Sequence, residues 1–230
     1  EAMKRLKVTE GDTVSIHHLR PVESIAFVRG KMYGKQFTEL QLEEIMKDIA
    51  EGRYSNVELA AFITACSGNN LSLKEIIALT LAMISAGHKL AWDKAVVLDK
   101  HCIGGLPGNR TTPIVVSIIA AAGYTIPKTS SRAITSPAGT SDMMEVITNV
   151  DLDLNAIKNI VEKENGCLAW GGAIKLSPAD DIIISVERAL NIDSEGQMIA
   201  SVLSKKAAAG STHVLIDIPF GKTAKVRRKK

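Results

Sequence analysis

Between residues 99 and 145 the chain gathers glycines, hydroxyls and cations at a spacing suited to holding an anion. Gly104, Gly105 and Gly108 follow a short apolar run, Ala95 to Leu98, that reads as a buried strand, and they precede Thr111 to Ala122, whose composition suits a helix. Glycines at a strand-to-helix turn let backbone N–H groups face a ligand with no Cβ in the way, and the helix start adds unpaired donors and a positive dipole end. Lys100 and Arg110 flank this loop with full charges, and Thr111 and Thr112 offer hydroxyls where the helix begins. A ligand-free βα turn has a similar composition. A second loop, with Thr129, Ser130, Ser131, Arg132, Thr135, Ser136 and Thr140, follows a predicted strand from Tyr124 to Lys128, and Gly139-Thr140-Ser141-Asp142 reads as the start of another helix. Successive βα loops of a parallel sheet open on one edge, so both loops converge on one ligand. Neither loop is a Walker A or a GxGxxG motif, which leaves phosphate handling without a triphosphate signature.

Lys100-His101-Cys102-Ile103-Gly104-Gly105 resembles the KHSxGG signature of the pyrimidine and thymidine phosphorylase family. Pro107-Gly108-Asn109-Arg110-Thr111-Thr112 and the run from Ser131 to Thr140 resemble its archaeal AMP phosphorylase branch, as do Ser177-Pro178-Ala179-Asp180-Asp181 and the run from Ala200 to Lys206. Cys102 stands where the family usually places Ser, and a thiol is a weaker donor to phosphate. The resemblance implies phosphorolysis of AMP to adenine and ribose 1,5-bisphosphate, with CMP and UMP as candidate further substrates and inorganic phosphate as co-substrate. It implies no cofactor and no metal. It assigns substrate binding to Gly105, Ser131, Arg132, Ala133, Ile134, Thr135, Ser136, Thr140, Ser201 and Lys225, proton donation to the leaving base to Asp193, and phosphate contacts to Lys100 and Ser130. Chemically this is coherent: the sugar gains oxocarbenium character as the C–N bond breaks, and the departing base needs a proton. Asp193-Ser194-Glu195 also reads as a helix N-cap, His101 as either a substrate-orienting or a half-buried structural histidine, and Arg132 as a bidentate phosphate ligand or a surface arginine. Alternatives are a pyrimidine nucleoside phosphorylase, an enzyme like anthranilate phosphoribosyltransferase, which would require Mg²⁺, and a fragment that binds nucleotide without turnover.

The elements that must position these residues form an α/β fold: a small α-helical domain and a mainly parallel sheet flanked by helices, truncated at both ends. Residues 1–20 read as the remnant of an N-terminal domain, with a turn at Gly11-Asp12 and a strand-like piece from Thr13 to Ile16. Residues 21–90 hold three amphipathic helices, started by Thr38, by Ser55-Asn56 with Glu58, and by Ser72 with Glu75, the third ending at Gly87-His88. Residues 91–230 form the α/β part, incomplete at its C-terminus. After the second loop, helices are expected from Asp142, from Asn155 to Glu164, from Pro178 to Leu190 and from Glu195 to Ala209, with strands near Cys167 to Trp170 and Thr212 to Ile218.

At 230 residues and 46% hydrophobic, the chain can bury a sizeable core. No apolar run approaches the roughly 20 residues that span a bilayer, which argues against a membrane protein. Three scattered cysteines, Cys66, Cys102 and Cys167, fit reduced thiols in the cytoplasm better than disulfides or a zinc site. The net charge of +3 comes from the tail, where five cations fall in residues 225–230, and no aromatic interleaving supports nucleic-acid binding. The family resemblance further implies a homodimer or higher homo-oligomer joined through the helical domain.

Overall fold

The computed structural model describes residues 3, 6–15, 21–103, 110–132, 138–192, 194–222, 224 and 226. From residue 21 onward the chain opens with four helices: α1 (Ile25–Met32), α2 (Glu39–Ala50), α3 (Asn56–Cys66) and α4 (Leu73–Ser85). The last three start where the sequence indicates. Thr38, Ser55 and Ser72 each accept a hydrogen bond from the backbone N–H three residues on, and Gln41, Glu58 and Glu75 reach back to the cap, closing three capping boxes. The helix missed by sequence pattern is α1. Its N-cap Ser24 makes no side-chain cap; the hydroxyl instead donates to Asp48 Oδ2 at 2.6 Å and meets Tyr54 Oη at 3.0 Å. Only Val28 and Lys31 are buried on α1, so no apolar stripe announces it.

The α/β part follows as β1 (Leu98–Cys102), α5 (Thr111–Ala121), β2 (Ile126–Ser130), α6 (Thr140–Glu145), α7 (Leu154–Glu164), β3 (Gly166–Trp170), α8 (Pro178–Leu190), α9 (Glu195–Ala208) and β4 (His213–Asp217). β1 pairs in parallel with β4, and β2 with β3. A parallel bridge between Val97 and Thr125, with Leu98 N–H donating to the Thr125 carbonyl at 2.8 Å, joins the two pairs. The fold is therefore a helical bundle beside parallel strands flanked by helices.

Several expected boundaries move. β1 begins at Leu98, so Asp99, Lys100 and His101 lie on the strand and not in the loop after it; β2 likewise ends at Ser130. Among the described residues of the expected N-terminal strand, 13–15 are not in a strand, although Thr9 and Asp12 do close a turn.

One core lies among the helices, with Leu42, Ile45, Phe62 and Leu79 fully buried, and it takes in Ile183 of α8 and Ala200 of α9. A second, around Ile157, Ala169, Leu176 and Ala208, supports the strands. Helices α8 and α9 thus carry side chains from the strand ends into the bundle. The junction is tight at Gly87, where an added Cβ would run into the Leu176 carbonyl. Next to it, His88 N–H donates to the Lys175 carbonyl at 3.1 Å.

Candidate active site

β1 and β2 bring a set of buried charges together. Asp99, fully buried on β1, is held by Lys128 Nζ of β2 at 3.2 Å and by Lys206 Nζ of α9 at 2.9 Å. Lys206 also donates to the Thr129 carbonyl at 3.1 Å. One carboxylate thereby joins two strands and a helix that are far apart in sequence. A lysine inside an apolar strand, as in Ile126-Pro127-Lys128, is the sequence signal for such a site, and the periodicity reading passed over it.

Lys100, one residue along, points to the opposite face, as the strand period requires. Its ammonium lies 2.8 Å from Asp217 Oδ2 of β4 and donates to Thr111 Oγ1 at 2.8 Å and Thr112 Oγ1 at 3.4 Å. The expected partnership of Lys100 with the helix-start threonines is therefore present. His101 follows. Burial first, then the fields of Lys206, Lys128, Lys205 and Lys100, push its imidazole down to about 2, so it is neutral at physiological pH. Burial, and then Lys206, also lower Lys128 to about 7 against the pull of Asp99. The four ammonium groups that act on this imidazole are each paired with a carboxylate, Lys100 with Asp217, Lys128 and Lys206 with Asp99, and Lys205 with Asp180 and Asp181.

The end of β2 fans outward. Ser130 Oγ meets Ser141 Oγ of α6 at 2.7 Å, and Ser141 Oγ lies 3.1 Å from the Ser130 carbonyl. Ser131 Oγ accepts from Lys205 Nζ of α9 at 3.3 Å. The same ammonium contacts Asp180 Oδ2 at 2.9 Å and Asp181 Oδ1 at 3.1 Å, and Ser201 Oγ donates to Asp180 Oδ2 at 2.8 Å. Ser131 and Ser201, 70 residues apart in sequence, thus belong to one network through Lys205 and Asp180. Although burial opposes it, the two aspartates hold the Lys205 ammonium above the ordinary lysine range.

Arg132 stacks over the Trp170 ring, 4.6 Å from its centroid, and pairs with both oxygens of Glu145 at 2.5 and 2.7 Å, with Asp142 at 3.6 Å. The fork is thus loaded by α6, the helix that Thr140 opens. A bidentate acceptor already sits where a phosphate could take its place.

Gly105, Ala133, Ile134, Thr135, Ser136, Asp193 and Lys225 lie outside the described residues. Among the described residues no group of three or more His, Cys, Asp or Glu is arranged to hold a metal, and no helix is long and apolar enough to cross a membrane. Burial raises the Cys167 thiol to about 12 and lifts Cys66 above the ordinary range as well, so both are poor nucleophiles at neutral pH.

Curated relatives are similar over nearly the whole chain. Proteins named "putative thymidine phosphorylase" from Hahella chejuensis and Chelativorans sp. are 57% and 60% identical over 226 and 222 residues, covering 98% and 96% of this chain. The chain spans 45% and 44% of their lengths. A crystal structure of anthranilate phosphoribosyltransferase from Thermus thermophilus shares the fold, with a TM-score of 0.65 at 22% identity over 82% of this chain and 57% of that one. Family models described as the glycosyl transferase family helical bundle domain and a/b domain match residues 25–87 and 94–228. A helical bundle followed by parallel strands flanked by helices, matched by both models, places this chain in the glycosyl transferase family.

Proposed function

We propose that this chain forms the nucleotide- and phosphate-binding part of a nucleoside 5′-monophosphate phosphorylase that converts AMP and phosphate to adenine and ribose 1,5-bisphosphate, with CMP and UMP as further substrates. The observation that supports the reading is the set of lysine–aspartate pairs on the parallel strands and α9, Lys100 with Asp217, Lys128 and Lys206 with Asp99, and Lys205 with Asp180 and Asp181, whose ammonium groups an incoming phosphate would compete for. Inorganic phosphate held there attacks the anomeric carbon of the sugar. The glycosidic C–N bond breaks with its electron pair going to the base, and Asp193 delivers a proton to that base. Ser130 and Lys100 hold the attacking phosphate. Gly105, the run from Ser131 to Ser136, Thr140, Ser201 and Lys225 hold the nucleotide. Arg132, exchanging Glu145 for the 5′-phosphate, accounts for a monophosphate preference. No metal or other cofactor enters this scheme.

The names of the relatives favour a second reading, a phosphorylase of pyrimidine nucleosides. Phosphate-dependent base release from AMP, adenosine and uridine at equal concentration separates the two. Release from AMP in clear excess over adenosine supports the nucleotide reading; release confined to the nucleosides overturns it, and binding of AMP without release reduces the chain to a binding fragment. We further place the protein in the cytoplasm as a homo-oligomer. Met32 and Tyr33 at the end of α1, with Leu40, Leu73 and Ile77, are exposed large hydrophobic residues on the helical part that a second copy would cover.

A further inference from the structure

The polar side chains of α9 are all accounted for except one. Ser201 donates to Asp180, buried Ser204 to the Ser201 carbonyl, and Lys205 and Lys206 engage the networks described above. Even the N-cap, Ser194, donates to the Cys66 carbonyl at 3.3 Å. Gln197 is 3% exposed, and neither its Oε1 nor its Nε2 has a hydrogen-bond partner among the described residues. A buried carboxamide with both ends unsatisfied is destabilising, and an apolar residue of the same shape would serve the fold better. Its neighbour Gly196 packs against Ile76 and Leu71, so the surroundings on that side are apolar.

We infer that Gln197 reads the nucleobase, an inference that rests on the nucleotide phosphorylase reading proposed above. Gln197, Ser201 and Lys205 recur every four residues and lie along one side of α9, each about 6 Å further on. Lys205 and Ser201 are the residues of this helix tied to Ser131 and Asp180 at the mouth of the site. Gln197 stands one turn deeper into the bundle. A planar amide offers one donor and one acceptor side by side, which matches the paired edge of a base and matches neither a phosphate nor a sugar hydroxyl as well. Turned over about its last torsion, the same amide matches the opposite pattern, so one residue serves the amino edge of adenine or cytosine and the keto edge of uracil.

The test compares wild type, Gln197→Leu and Gln197→Met on the full 230-residue chain, by equilibrium binding of AMP, UMP and ribose 5-phosphate beside base release. The expected result is a loss of fivefold or more in affinity for both AMP and UMP, with ribose 5-phosphate binding unchanged. A smaller loss, or an equal loss for ribose 5-phosphate, overturns the inference and leaves Gln197 structural. Met, apolar and of nearly the same length, decides the matter if the Leu variant does not fold. Wild type that binds AMP through Gln197 yet releases no adenine defeats the phosphorylase reading alone. Wild type that releases adenine but ignores the substitution defeats this inference alone, and wild type that binds none of the three compounds defeats both.

Discussion

His101 carries the clearest pH signature of any single side chain in the molecule. Its folded value is depressed to about 2, whereas an unfolded histidine titrates near 6.5. Between those limits the unfolded chain binds the extra proton, so stability rises with pH and is lost as pH falls from about 6.5 toward 2. The urea midpoint is expected to drop from pH 7 to pH 4.5, and His101→Gln, which cannot take up that proton, is expected to flatten the drop. An unchanged slope in the variant means that other groups set the acid limb. Lys128 is a second base held below its ordinary value, and its effect on stability has the same sign. Its folded value near 7 lies below the unfolded 10.5, so its contribution also grows as pH rises through that window.

Among the elements, the three capping boxes differ in depth, and the difference has measurable consequences. Ser55 and Glu58 cap α3 in solvent, so Ser55→Ala is expected to cost about 1 kcal/mol. Glu75 of α4 does the same local job but is buried, and it also takes Lys31 Nζ at 2.5 Å and the Phe37 N–H at 2.9 Å. Glu75→Gln leaves a buried lysine without its counter-charge and is expected to cost about 3–5 kcal/mol in urea unfolding. Equal costs for the two variants would mean that Glu75 acts as a cap alone. These helices were legible because their caps are local. Helix α8 was legible to the residue, since Pro178 opens it and Asn191, left-handed at φ 52°, closes it. β1 and β2 were displaced toward the C-terminus, β1 because Asp99 and Lys100 look like loop residues, whereas β3 and β4 lie where they were expected. Only their pairing with Lys206, Asp217 and each other makes Asp99, Lys100 and Lys128 compatible with burial, and partners that far away in sequence leave no local pattern.

At the scale of the whole molecule, the bundle and the strands meet through the segments around Gly87 and Leu176 and through α8 and α9. Gly87→Val would push the Leu176 carbonyl away and is expected to lower the melting temperature by several degrees. Gly30→Val, in a comparatively open position against the Lys35 side chain, is the control and is expected to show only the modest helix-propensity change. Equal shifts would show that the Gly87 approach is not limiting. The candidate site divides along the same line. The phosphate-type loops were visible as composition, and the Ser131 to Ser201 connection was visible only as two separate matches to a family. What joins them, Lys205 between Asp180 and Ser131, depends on how α9 lies across the strand ends.

That placement has a mechanical corollary. Lys205 and Lys206 are neighbours, set about 100° apart around α9, and each is anchored to a different layer: one to α8 and the tip of β2, the other to the buried carboxylate of β1. The helix therefore behaves as a crankshaft with two arms. A small roll about its axis would strain both arms at once, so loosening one anchor is expected to disturb the other.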